Sequence, residues 1–167
     1  MKKPSMITSQ RGISMLEVLI ALLVLSIGAL GFAAIQLVAM QHAEDANYRS
    51  YAMLIAQDAV ERIQSNPDDV ESYLSATPPS PPATAPNQAC TKCAATDDMA
   101  QLAWSASQSL PNGRIKIDEC DFNGMYCVVL NWGDKAEDGA KNIDACMTGA
   151  GINSSMDSNC LVMEFSR

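Results

Sequence analysis

Six cysteines, one histidine and a single acid at the edge of a long apolar run are the residues here whose types could do chemistry. Cys90-Thr91-Lys92-Cys93 has the spacing of a thioredoxin-like redox pair or of half a zinc site. A redox pair should open a helix within a βαβ unit, whereas this one follows a proline-rich stretch. A zinc ribbon needs a second CxxC, and Cys120 and Cys127 have six residues between them. A structural disulfide is therefore the better reading of Cys90 and Cys93, with a membrane-anchored thiol oxidoreductase as the competing one. His42 is the only histidine, so no Ser/His/Asp set is available. Asp134, Glu137 and Asp138 could hold calcium, but the EF-hand spacing and its bidentate Glu are missing. No glycine loop of the phosphate-cradling kind occurs. The chain is read as a non-enzyme with no catalytic residue, no metal and no cofactor.

The acid is Glu17. It stands just before residues 18–35, eighteen uncharged and mostly apolar residues, which is the length of a membrane-spanning helix. An unpaired carboxylate at that depth costs at least ~2 kcal/mol on insertion scales. Glu17 therefore needs a partner. Lys2, Lys3 and Arg11 precede the run without any acid, which orients the N-terminus to the cytoplasm and the rest outside. A secretory signal would be shorter and would end in a small-x-small cleavage site.

The elements around these residues follow from pattern and composition. At 167 residues the chain accommodates one domain and an anchor. A formal charge of −8 opposes phosphate-directed nucleic-acid binding, and no nucleic acid is expected as a partner. Residues 13–65 lack proline, and Gly28 and Gly31 are spaced by three, so no GxxxG motif arises. After Met40 the pattern turns amphipathic. Tyr48, Tyr51, Ala52, Ile55, Ala59 and Ile63 recur at helical steps, with charged residues between them. Asn66-Pro67 ends the helix. Residues 77–86 are half proline and read as an extended, exposed spacer. Met99 to Ser109 reads as a short helix. Arg114–Asp118, Tyr126–Trp132 and Leu161–Phe165 read as strands. Asn123-Gly124 is a two-residue hairpin signal that would set Phe122 opposite Met125 and Cys120 opposite Cys127. Opposed Cα atoms lie ~5.5 Å apart, within disulfide range. A Cys146–Cys160 bridge would close a fifteen-residue loop, worth ~3 kcal/mol in the chain-entropy model. That leaves Cys90 with Cys93, one set among the fifteen that six cysteines allow.

The basic leader ending in Gly12, followed by Ile13-Ser14-Met15-Leu16-Glu17-Val18-Leu19-Ile20-Ala21-Leu22, resembles the class III signal of type IV prepilins. The resemblance covers residues 1 to about 60 and implies cleavage between Gly12 and Ile13 by the prepilin peptidase, with N-methylation of Ile13. It implies that Glu17 pairs with the terminal amine of a neighbouring subunit, an ion pair that sets register between stacked helices. Loss of the leader takes the formal side-chain charge from −8 to −11. The family usually begins its mature chain with Phe, and its major pilins carry Pro at the position of Ala34. Ile13 and Ala34 suit a minor pilin, most like the PilV-type pilus-modification protein, or a pseudopilin. C-terminal disulfide loops like Cys146–Cys160 also occur in pilins.

The expected architecture is α+β, a long N-terminal helix on a small antiparallel sheet of three to four strands, braced by disulfides. The expected divisions are a leader at 1–12, a transmembrane or filament-core helix at 13–40 and an amphipathic helix at 41–66. A proline-rich linker at 67–89 and a cysteine-rich β domain at 90–167 follow. The resemblance implies a structural subunit that helps initiate pilus assembly at the tip, for twitching motility and adhesion. Its partners would be the prepilin peptidase, other minor pilins, the major pilin and a large tip adhesin. It would sit in the inner membrane before assembly, with its domain periplasmic or extracellular. A type II secretion pseudopilin is the first alternative. A DNA-binding competence pilin is the second, but Arg114 and Lys116 are the only nearby basic pair on one strand.

Overall fold

The fold, a computed structural model, describes residues 14–74, 79–86, 94–133, 143–152 and 159–166. It divides into two compact units, residues 1–44 and residues 45–167.

In the first unit the described residues form one helical run, part of α1 (Met15–Ser65). Leu, Ala, Ile and Val fill it, so backbone hydrogen bonding costs little side-chain entropy. Among the described residues nothing lies near the place where a Cβ would stand on Gly28 or Gly31.

The second unit begins with the remainder of α1. Its buried stripe is Ala52, Ile55, Ala56, Ala59 and Ile63, the three- and four-residue spacing of one helix face. Asn66 leaves helical geometry at φ −126°, ψ 63°, as the residue before proline must. A 3-10 turn (Pro67–Asp69) and the single turn α2 (Val70–Tyr73) follow, burying Val70 and Tyr73. α3 (Ala95–Ser109) starts four residues earlier than its apolar pattern suggests. Asp97 and Asp98 in its first turn suit the positive end of a helix dipole and extend it. It is terminated by Leu110-Pro111-Asn112-Gly113. A Cβ on Gly113 would lie 2.2 Å from the Ala106 carbonyl oxygen, so the chain can cross the end of α3 here only as glycine.

β1 (Arg114–Glu119), β2 (Tyr126–Trp132) and β5 (Asn159–Phe165) form an antiparallel sheet in the order β1-β2-β5. β3 (Met147–Thr148) and β4 (Gly151–Ile152) form a separate two-stranded ribbon. A long helix with a small antiparallel sheet and two disulfides is the pilin-like α+β class. The side chains alternate across the sheet, and this separates two clusters. Ile115, Ile117, Val128, Leu130, Trp132 and Phe165 pack with the helices. Cys127, Val129, Cys160 and Val162 pack on the opposite face with Cys120, Ile143, Cys146 and Met147.

The β1–β2 hairpin differs from its expected geometry. Asp118, not Cys120, faces Cys127, and the Cys120 N–H donates to the Met125 carbonyl at 2.7 Å. The loop is therefore four residues, 121–124. A two-residue loop of the expected kind needs positive φ at both central residues, and only Gly124 has it, at +69°. Asn123 instead uses its side chain. Its Oδ1 accepts from the Met125 N–H at 3.0 Å, and its Nδ2 donates to Glu164 Oε2 on β5 at 2.9 Å. The two cysteines still meet, diagonally, with Cα atoms 5.2 Å apart in a disulfide. A second disulfide joins Cys146 to Cys160, Cα atoms 5.8 Å apart.

The proline stretch also differs from an exposed spacer. Pro79, Pro81, Pro82 and Pro86 are half-buried. Pro79 and Ser80 share a cleft with Thr96 and Met99, and Pro81 shares another with Ser107, so the segment lies along α3.

Candidate assembly helix

The residues that carry the proposed chemistry of assembly sit at the start of α1. The Glu17 N–H and the Val18 N–H both donate to the Ser14 carbonyl, at 3.0 and 3.3 Å, which closes the first turn. Glu17 is thus an acid in the first turn, where backbone N–H groups lack helical partners and negative charge is favoured. Around it Leu16, Val18, Leu19, Ile20, Leu22 and Leu23 are all exposed. From Ser14 to Asn47 every residue is exposed among the described residues. Its apolar part is long enough to cross a membrane, and none of it is buried among the described residues. A helix apolar on all sides is stable only among lipid tails or other apolar helices. His42 is exposed on the same helix. Gly12 and Ile13, where cleavage and methylation are expected, lie outside the described residues. So do Cys90, Cys93, Asp134, Glu137 and Asp138.

Of the basic pair that bore on DNA binding, Lys116 is held by two carboxylates. The Lys116 ammonium lies 2.6 Å from Asp144 Oδ1 and 2.9 Å from Asp118 Oδ2. Burial alone would lower its pKa, but hydrogen bonds and charge from both carboxylates outweigh this and raise it. Lys116 therefore ties the segment carrying Cys146 to the outer face of β1.

A polar network that periodicity did not reveal orders the helices of the second unit. Arg62 on α1 donates to Asp58 Oδ1 at 3.0 Å, to Asp98 Oδ1 at 2.8 Å and to Gln101 Oε1 at 2.9 Å. The Tyr73 hydroxyl donates to the other Asp98 oxygen at 2.6 Å, and Asn66 Nδ2 donates to that hydroxyl at 3.2 Å. Asp98 is buried and bonded through both oxygens. Burial, together with the hydrogen bond and charge of Asp98, pushes the Tyr73 hydroxyl up to about 12. The Arg62 guanidinium is raised as well, because its two carboxylates outweigh its burial. In sequence Arg62 and Asp58 look like an ordinary solvated i,i+4 pair. The one available signal was a paired Asp97-Asp98 ahead of an apolar helix face, which does not name its partner.

Asn131 is the second missed residue. It is buried on the disulfide face of β2, with Nδ2 donating to the Asn159 carbonyl at 3.5 Å and lying near both sulfurs of the Cys146–Cys160 bridge.

A family model for type IV pilin Tt1218 (Tt1218-like) matches residues 34–104. A model for the prokaryotic N-terminal methylation motif matches residues 7–33. No curated protein and no solved structure matches the chain. The methylation motif spans Gly12, Ile13 and Glu17, and implies processing by a prepilin peptidase and assembly with other pilins. The pilin match spans the rest of α1, α2 and α3 as far as Trp104, so it takes in Arg62, Tyr73, Asp98 and Gln101 together. The sheet and both described disulfides lie beyond it. Pilins are structural rather than catalytic proteins, anchored by a single pass through the inner membrane with the globular domain outside. With an exposed apolar start of α1, a methylation motif over residues 7–33 and a pilin match over residues 34–104, the chain is similar to the type IV pilins.

Proposed function

We propose that this chain is a minor pilin, most like the PilV-type pilus-modification proteins, that helps prime type IV pilus assembly at the tip and so supports twitching and adhesion. In this reading the prepilin peptidase cuts between Gly12 and Ile13 and Ile13 is N-methylated. The new terminal amine of one subunit then pairs with Glu17 of another. The other minor pilins, the major pilin and a large tip adhesin are its partners. The observation that carries the reading is the complete exposure of the apolar start of α1 with an acid in its first turn. Such a surface has to be covered, and a carboxylate inside it has to be neutralised by whatever covers it. Ile13 in place of Phe, and Ala34 in place of Pro, support a minor subunit over a major one.

The test is N-terminal mapping of the protein in sheared filaments, which should find methylated Ile13 first. An intact Met1 in filaments would refute the reading. Glu17→Ala should leave the protein in the membrane but lower its share of filaments by about tenfold, the effect of ~1.4 kcal/mol of lost pairing. A mutant strain that keeps its pili but retains exoproteins in the periplasm would favour the pseudopilin alternative.

A further inference from the structure

The two described disulfides sit on one face of the sheet in different company. Cys120 and Cys127 are both buried, and the residues packed in their cluster include the apolar Phe122, Met125 and Val129. Cys146 is buried as well, but its partner Cys160 is only half-buried, so this bridge has one end at the surface. Cys160 stands directly opposite Asn131 in the β2–β5 register, which turns both side chains to the same face of the sheet. Asn131 Nδ2 lies 3.6 Å from the Cys160 sulfur and 3.8 Å from the Cys146 sulfur. Asn131 is 2% exposed, and its Oδ1 has no hydrogen-bond partner among the described residues. A buried acceptor without a donor is a cost to the state that contains it. The bridge cannot supply that donor, because neither of its sulfurs carries a hydrogen. A pair of thiols can. The Asn131 amide is therefore half satisfied by the disulfide and fully satisfied by the dithiol. Its N–H also bonds more strongly to a thiolate than to a neutral disulfide sulfur, since the acceptor is then charged.

We propose that Cys146–Cys160 is an exchangeable bridge, opened by a dithiol reductant, with Asn131 as its positioning residue and Cys120–Cys127 as the permanent staple. A thiolate of the reductant attacks Cys160 Sγ, the end at the surface. A new S–S bond forms there, the Cys146–Cys160 bond breaks, and its electron pair goes to Cys146 Sγ. That sulfur leaves as a thiolate beside the Asn131 amide N–H. It then takes up a proton, and its S–H donates to Oδ1, the acceptor that the bridge leaves empty. The second thiolate of the reductant attacks the reductant's own sulfur in the mixed disulfide. This closes the reductant's disulfide and releases Cys160, which is protonated in turn. The protein gains two electrons and two protons, and the dithiol loses them. Opening unties Cys146, next to β3, from Cys160 on β5, while the Lys116–Asp144 ion pair still tethers Asp144 to β1.

The experiment brings the full-length protein in detergent to equilibrium in graded ratios of reduced to oxidised dithiothreitol, followed by alkylation, trypsin and mass spectrometry. Peptide 142–167 carries Cys146 and Cys160, and peptide 117–135 carries Cys120 and Cys127. Peptide 142–167 should become alkylated at the lower ratio. Equal midpoints, or the reverse order, overturn the proposal. Asn131→Leu keeps the size of the side chain and removes both of its polar ends. It should raise the ratio needed for 142–167 about tenfold and leave that for 117–135 in place. An unmoved midpoint, the result for an Asn131 whose Oδ1 is satisfied by a buried water, overturns the proposal, and so does an equal shift of both bridges. A second measurement needs no variant. Brief exposure of the native protein to glutathione, quenched with N-ethylmaleimide, should place the glutathione on Cys160 and the maleimide on Cys146. Glutathione on Cys146 instead, or on the Cys120–Cys127 pair first, overturns the assignment.

Discussion

The two stretches of α1 obey different rules. From Met15 to Asn47 every side chain is exposed, although nearly half are large and apolar. From Ala52 to Ile63 a single face is buried and the other faces carry Gln57, Asp58 and Glu61. The second stretch is an ordinary amphipathic helix whose partner, the core of the second unit, is encoded in the same chain. The first is apolar on every side as far as Met40, and its side chains are exposed among the described residues. The lesson is that hydropathy period, not hydropathy itself, tells whether a helix is stabilised from within or from outside. The first stretch should thus be energetically silent in the isolated protein, and the second decisive.

Measurements can break that contrast, and the largest effects belong to the second unit. Trp132→Ala empties the centre of the helix-facing cluster and should lower unfolding free energy by ~3–5 kcal/mol, read by denaturant titration in detergent. Arg62→Ala leaves the buried Asp98 carboxylate without its cation and should cost about 3 kcal/mol or more in the same titration. High pH sharpens the picture. The Tyr73 proton is held to about 12 in the fold against an ordinary value of 10.0, so its contribution is complete below pH 10 and fades as pH rises towards 12. Two pH units correspond to ~2–3 kcal/mol. Tyr73→Phe should therefore flatten the loss of stability between pH 10 and 12, besides costing ~1 kcal/mol at neutral pH for its lost hydrogen bonds. The smallest effect belongs to the first stretch. Leu25→Ala should change stability by less than ~0.5 kcal/mol, and a loss of about 2 kcal/mol would mean that the chain covers its own leading helix.

Much of this architecture was legible in the sequence. α1 was readable because a long period without proline ends at Asn66-Pro67, and β2 because Tyr126 to Trp132 is a continuous apolar run of strand formers. The apolar lead of α1 was readable because residues 18–35 carry no charge. What escaped was non-local or competitive. The Arg62–Asp98 pair spans thirty-six residues, and no periodicity couples positions so far apart. The hairpin misled because Asn123 can either adopt positive φ or bond through its amide. Glu164, on a strand forty-one residues away, selects the second. α3 ran further than its apolar face because its first turn is stabilised by acids rather than by burial.

The alternation along β2 has a consequence for how the domain comes to be made. Its odd-numbered Cys127 and Val129 and its even-numbered Val128 and Leu130 belong to different clusters. A slip of one residue would turn Cys127 towards the helices and away from Cys120. Oxidation outside the membrane then acts as an inspector. A correctly registered chain presents Cys120 and Cys127 to each other and is sealed, while a slipped chain is left with two separated thiols open to reshuffling. The bridge is in that sense a stamp that only a correctly registered hairpin can bear.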